Sequence, residues 1–196
     1  MKKLIFTAAL AVAELASHAN AQIQKGNWFV GGTIMNADFG LDKGSGYNIS
    51  LEPKGAYFIQ DNLAIGGLVN FGFAGQKNAP TTYVYGVGAL GRYYLSPGEK
   101  GVDNLLKHGR FFLEGTAGIG GQSISDGGDS TTGLTLGVGP GYAYFITPNI
   151  SLEGMLKFNT VVGFGDTPSS SRLNFGLGFS IYLPTSKGKQ IINEVK

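Results

Sequence analysis

Between residues 27 and 183 the chain runs through eight stretches in which successive residues alternate between two chemically different faces. A two-residue period is the repeat of a β-strand, whose successive side chains point to opposite sides. In YNISLEPKGAY, Tyr47, Ile49, Leu51, Pro53, Gly55 and Tyr57 share one face, and Asn48, Ser50, Glu52, Lys54 and Ala56 share the other. The other stretches are 27–37, 63–74, 82–95, 111–122, 133–145, 150–162 and 172–183. The first is the least regular: Trp28, Val30 and Ile34 form its apolar set, while Phe29 and Met35 fall on the opposite face. The charged residues inside these stretches are Glu52, Lys54, Arg92, Glu114, Glu153, Lys157 and Arg172, and every one lies on the face opposite the bulky apolar residues.

Two closed barrels obey that rule. A soluble barrel turns its apolar face inward, and its polar face should then be crowded with charged and hydroxylated side chains. Here the polar face is mostly Gly, Ala, Ser and Asn, as in Gly86 and Gly88 or Gly118 and Gly120. Only 14% of the chain is charged against the usual level of about 25%, and 33 of 196 residues are glycine. Small residues suit the cramped interior of a narrow barrel whose bulky face meets lipid. The expected fold is therefore all-β: an eight-stranded antiparallel up-and-down transmembrane β-barrel, with Glu52 and Lys54 inward and Leu51 toward the membrane. A tilted strand needs about 9 to 11 residues to cross the apolar layer, a length that every stretch meets.

Aromatic residues gather toward the ends of the apolar face, as interfacial girdles should. Trp28, Tyr57, Tyr93, Tyr142 and Tyr144 are expected at one rim, and Tyr47, Phe73, Tyr83, Tyr85 and Phe158 at the other. An internal echo supports the strand count: LEPKGAYFIQDNLAIGG at 51–67 and VGPGYAYFITPNISLEG at 138–154 share Pro, Ala, Tyr-Phe-Ile, Asn and a final Gly at a constant offset of 87 residues. Pro53 and Pro140 occupy equivalent places, and with no N–H to donate each is expected to cause a bulge or an unpaired acceptor.

The start of the chain has Lys2 and Lys3, an apolar run from Leu4 to Ala16 broken by Glu14, and the small-x-small sequence Ala19-Asn20-Ala21. This pattern reads as a secretory signal, so residues 1–21 are expected to be cleaved, 22–183 to form the barrel, and 184–196 to be a periplasmic tail. Without Lys2, Lys3 and Glu14, the 15 basic and 13 acidic residues become 13 and 12. Such near-neutrality argues against a nucleic-acid partner. With no cysteine, an exported protein of this size must be held by a core, a closed hydrogen-bond network or a surrounding membrane.

Candidate chemistry is sparse. Gly86-Val87-Gly88-Ala89-Leu90-Gly91 matches G-x-G-x-x-G, but the dinucleotide fingerprint requires a following helix and Arg92-Tyr93-Tyr94-Leu95 continues a strand. His108 has no partner at a recognisable spacing and reads as a loop residue. Asp126 and Asp129, in SDGGDS, lack the spacing of a calcium loop and read as a turn. No catalytic, cofactor-binding or metal-ligating residues are expected.

The stretches GNWFVGG and GAYFIQDNLAIGG, with the glycine-rich strand pairs, resemble the outer-membrane β-barrel family common in Bacteroidetes, related in architecture to the eight-stranded OmpA and OmpX barrels. Residues 174–181, NFGLGFSI, resemble the C-terminal signal read by the barrel insertion machinery, although the chain continues through PTSKGKQIINEVK instead of ending on an aromatic residue. The resemblance implies a bacterial outer-membrane location with both mature termini in the periplasm, and loops near 38–46, 75–81, 123–132 and 163–171 outside. It implies contact with outer-membrane lipid and lipopolysaccharide, and with the insertion machinery during assembly. A monomer is expected, with a place in a larger membrane complex left open.

The seven inward charges are the candidate site. An isolated buried charge costs several kcal/mol, so in a narrow lumen these groups must be paired or hydrated. Paired, they plug the barrel of a structural or surface-interaction protein; hydrated, they line a narrow passive pore for water, ions or small solutes. A lipid-directed enzyme is the remote alternative. Arg92 and Glu114 flank the longest connection and should meet as strand neighbours, while Glu52 and Lys157 should meet across the barrel.

Overall fold

The computed structural model describes residues 23–39, 46–76, 79–95, 109–125, 130–164 and 169–185. They form eight strands: β1 (Trp28–Phe39), β2 (Gly46–Gln60), β3 (Leu63–Gln76), β4 (Thr82–Tyr94), β5 (Gly109–Ile124), β6 (Ser130–Thr147), β7 (Ile150–Gly163) and β8 (Ser170–Leu183). Each strand pairs antiparallel with the next, and β8 pairs with β1 from Trp28↔Leu183 to Met35↔Gly176, closing the barrel. Closure leaves no unpaired sheet edge, the condition for crossing hydrocarbon with strands. With eight strands the chain enters and leaves at the same rim.

The two faces are divided as the alternation predicts. Val87, Leu173 and Phe175 are 63%, 65% and 60% exposed on the outer wall, whereas Arg92 and Glu114 are fully buried in the lumen. Aromatic pairs mark the outer face, including Trp28 with Tyr57 at 5.1 Å and Phe73 with Tyr83 at 5.9 Å between ring centroids. Phe29 and Met35, which break the pattern of β1, are both buried inside. They belong to the lumen filling and are not errors of register.

β2, β5 and β6 extend furthest beyond the apolar stretches, and β5 and β6 narrow the expected 123–132 loop to the residues between Ile124 and Ser130. Their outer turns carry Gln122, Ser123, Ser130 and Thr131, polar on both faces, so alternation gives no signal there. His108, Asp126 and Asp129, the expected signal segment and most of the C-terminal tail lie outside the described residues.

Pairing of β2 with β3 holds at Leu51↔Phe71, lapses at Glu52 and Pro53, and resumes in the same register at Lys54↔Leu68. Pairing of β6 with β7 likewise holds at Val138↔Phe158, lapses at Gly139 and Pro140, and resumes at Gly141↔Met155. Each proline leaves the ladder locally open, as its missing N–H requires. Register shifts follow between Phe58 and Gln60 and between Phe145 and Thr147, again 87 residues apart. The repeat seen in the sequence is thus a repeat of strand irregularities.

The G-x-G segment also finds its explanation in the wall. Gly86 pairs with Gly120 and Gly88 with Gly118, all four facing inward on adjacent strands. A Cβ on Gly118 would run into the Val87 carbonyl oxygen and the Gly88 Cα, so this part of the wall has no room for side chains.

Candidate functional site

Two neighbouring strands place the first part of the inward charge cluster by simple pairing. Arg92 near the end of β4 sits directly opposite Glu114 on β5, and its Nη2 donates to Glu114 Oε2 at 2.6 Å while its Nε donates to the same oxygen at 2.9 Å. The same guanidinium reaches β7, where Nη1 lies 2.9 Å from both oxygens of Glu153. Arg92 therefore bridges two carboxylates through different edges of its fork, a geometry that lysine does not offer.

The second part spans the barrel. Lys157 Nζ on β7 donates to both carboxylate oxygens of Glu52 on β2, at 3.0 and 2.9 Å. Lys54 Nζ lies 3.4 Å from Glu52 and 3.1 Å from Glu114, and Lys157 Nζ lies 3.5 Å from Glu114. Lys54, Glu52, Lys157 and Glu114 thus form a closed ring of alternating charge, joined through Glu114 to Arg92 and Glu153. Three bases face three acids, so the cluster is balanced without counter-ions. All six side chains are at most 7% exposed, which makes this balance the condition for burying them.

Arg172, expected with the other six, lies at the opposite end of β8 and is exposed, next to Asn159 in the ladder. Among the described residues it makes none of the ion pairs of this cluster. Its spacing places it on the inward face but several residues beyond the level at which the other charges meet.

The sequence did not single out what lies beneath the charges. Phe29, Phe58, Tyr94, Phe112, Phe145 and Tyr182 point into the lumen from β1, β2, β4, β5, β6 and β8, all buried. Tyr94 and Tyr182 hydroxyls lie 2.9 Å apart, and Tyr94 also accepts from Arg92 Nη1 at 3.0 Å. The Arg92 guanidinium carbon stands 4.1 Å from the centre of the Phe112 ring and 4.8 Å from that of Phe29, so the two groups are coupled by cation–π contact. A usable signal was present: all six are aromatics on the small-residue face, near the starts of β1 and β5 and the ends of β2, β4, β6 and β8, which in an up-and-down barrel is one rim.

A closed barrel of eight strands with a lipid-compatible outer wall and charged side chains on its inner face defines a transmembrane β-barrel of the narrow type. The chain belongs to the family described as outer membrane protein beta-barrel domain, whose model matches residues 6–181, and it is a protein of the bacterial outer membrane. No curated protein matches the sequence. Among solved structures it is similar to Neisserial surface protein A, with 19% identity and a TM-score of 0.54 over 79% of this chain and 95% of that one. It is also similar to Ail, the attachment invasion locus protein of Yersinia pestis, with 15% identity and a TM-score of 0.50 over 82% of this chain and all of that one. At these identities the shared property is the fold.

Proposed function

We propose that this barrel is a structural or surface-interaction protein whose lumen is plugged by its own charges and which performs no catalysis. The observation that carries the reading is the bridge from Lys157 on β7 to Glu52 on β2, with Nζ 2.9 Å from Oε2 across the lumen. Glu52, Lys54, Arg92, Glu114, Glu153 and Lys157 are occupied with one another, so none is disposed as a free acid or base toward a substrate. Arg172, exposed and apart from them, is available at one mouth of the barrel.

In this reading both termini face the periplasm, and outer-membrane lipid and lipopolysaccharide surround the wall. The insertion machinery reads the last strand, and the barrel acts as a monomer. Single-channel recording in planar bilayers tests the function. The wild-type protein is expected to show no resolvable steps, and Glu52→Ala to destabilise the barrel by leaving Lys157 with its longer contact to Glu114 alone. A steady wild-type conductance that Glu52→Ala leaves unchanged would replace the plug with the narrow pore.

A further inference from the structure

The charge cluster fills only one level of the lumen. Directly beneath it, toward the rim where the chain enters and leaves, lie the six buried rings contributed by six of the eight strands. Their centroids are 5.2 Å apart for Phe145 and Tyr182, 5.7 Å for Tyr94 and Phe112, 5.9 Å for Phe58 and Tyr94, and 6.0 Å for Phe29 with both Phe58 and Tyr182. The strands without a ring contribute buried Ala64 on β3 and Ser151 on β7, small residues that leave room for the rings of their neighbours.

This layer also has a base. Ile23, ahead of β1, is buried in the same cluster, and its carbonyl accepts from the Asn62 N–H in the β2–β3 turn at 2.8 Å. The Gly26 N–H donates to the Phe58 carbonyl at 2.9 Å, and Phe58 N–H returns the bond to Asn27 at 2.9 Å. The segment before β1 is thereby laced across the underside of the rings.

We infer that the lumen is closed by two barriers in series, the charge cluster and, beneath it, an aromatic layer that holds back water and ions even when the cross-barrel charge pair is lost. The inference rests on the closed-lumen reading above and divides the work within it. A charged layer that loses one partner retains groups that draw water, because the remaining charge must be solvated. An apolar constriction behaves oppositely: it sheds water, and ions do not cross a dry segment. The charge cluster then fixes the opposing walls β2, β5 and β7 to one another and orients Arg92, whose face carries Phe29 and Phe112. The rings supply the second, apolar seal.

The two roles separate by mutation. Glu52→Ala/Lys157→Ala removes the cross-barrel pair without leaving a net charge, and Phe58→Ala opens the ring layer. Reconstituted in planar bilayers, wild type, the double variant and Phe58→Ala are each expected to be silent, and the three substitutions together to give discrete conductance steps. Steps from the double variant alone, with wild type silent, would overturn the inference while leaving the closed lumen intact. A folded but silent triple variant would overturn it as well. Steps from wild type would instead remove the closed-lumen reading itself.

If Phe58→Ala does not fold, a thiol reports in its place, since the chain has no cysteine. Ser151, fully buried and within hydrogen-bond reach of Glu153 at 3.2 Å and Tyr182 at 3.4 Å, lies where the two layers meet. Ser151→Cys is expected to resist a small water-soluble thiol reagent in the wild-type background. In Glu52→Ala/Lys157→Ala it should become labelled while the bilayer stays silent. A thiol that remains protected there would show that removing the pair admits no water, and would overturn the division of roles.

Discussion

Leu136 and Glu114 sit on neighbouring strands and belong to two regions that hold the barrel by different means. Leu136 is one of many apolar side chains on the outer wall, each meeting lipid on its own account. Glu114 touches Lys54, Arg92 and Lys157 at once, and every one of those bases depends on a second acid. Stability on the outer wall is a sum of nearly independent terms. Stability in the lumen is shared among six residues, so the loss of one member disturbs the rest. Substitutions should therefore be judged by face, and within the lumen by the number of partners left behind.

The largest effect is expected at the shared acid. Glu114→Ala leaves three bases facing two carboxylates in a buried site, and breaking a buried pair in this way costs about 3 to 5 kcal/mol. Urea unfolding in lipid vesicles, read by the heat-dependent gel shift of the folded barrel, measures it; a loss no greater than that of an exposed loop substitution would deny the cluster its role. Next comes the outer wall. Leu136→Arg places a charge against hydrocarbon and is expected to cost about 2 to 4 kcal/mol near the midplane. Its neighbour Thr135 points into the lumen, and Thr135→Arg should cost less in the same assay. Equal losses for the two would contradict the assignment of faces, and a reversed order would describe a soluble barrel.

The smallest effect is expected at Ser180, whose buried hydroxyl has no hydrogen-bond partner among the described residues, although Ser151 on β7 and Tyr182 on β8 are engaged. Ser180→Ala removes an unsatisfied group and is expected to be neutral or slightly stabilising. A clear loss of stability would reveal a hydration site inside the barrel that ties Ser180 to its surroundings.

The outer wall was readable because a strand's period of two puts lipid and lumen into alternate letters. Strand number, strand order and the inward side of Glu52, Lys54, Arg92, Glu114, Glu153 and Lys157 followed from it. The pairing of Arg92 with Glu114 was also legible, since one connection separates them and antiparallel strands fold back on each other. Other features required the register itself. Glu52 and Lys157 were expected to meet from their similar heights above short turns, but Lys54 and Lys157 both reach Glu114 because stagger brings β5 to that same level, which no local pattern encodes. Arg172 shares their face, yet the same stagger carries it to the mouth.

The aromatic layer was hidden for a different reason. Phe29 and Met35 look like defects when a face is sorted by hydropathy, because a narrow lumen can be filled with rings as well as with small or charged groups. The two prolines were informative in the opposite sense: a residue that cannot donate to a ladder marks its own position in the wall, and Pro53 and Pro140 open the pairing at matching sites.

A closed lumen requires that Lys157 meet Glu52 across it in the membrane-embedded protein. A solid-state NMR dipolar recoupling measurement on lipid-reconstituted wild-type protein, with the lysine side-chain nitrogens carrying 15N and the glutamate carboxyl carbons 13C, observes that contact directly. Comparison with Lys157→Met assigns the signal. The structure predicts a strong coupling for Lys157, as its Nζ lies 2.9 and 3.0 Å from the two Glu52 oxygens. A Lys157 nitrogen with no carboxyl coupling, averaged by exchange with water, would contradict a closed lumen.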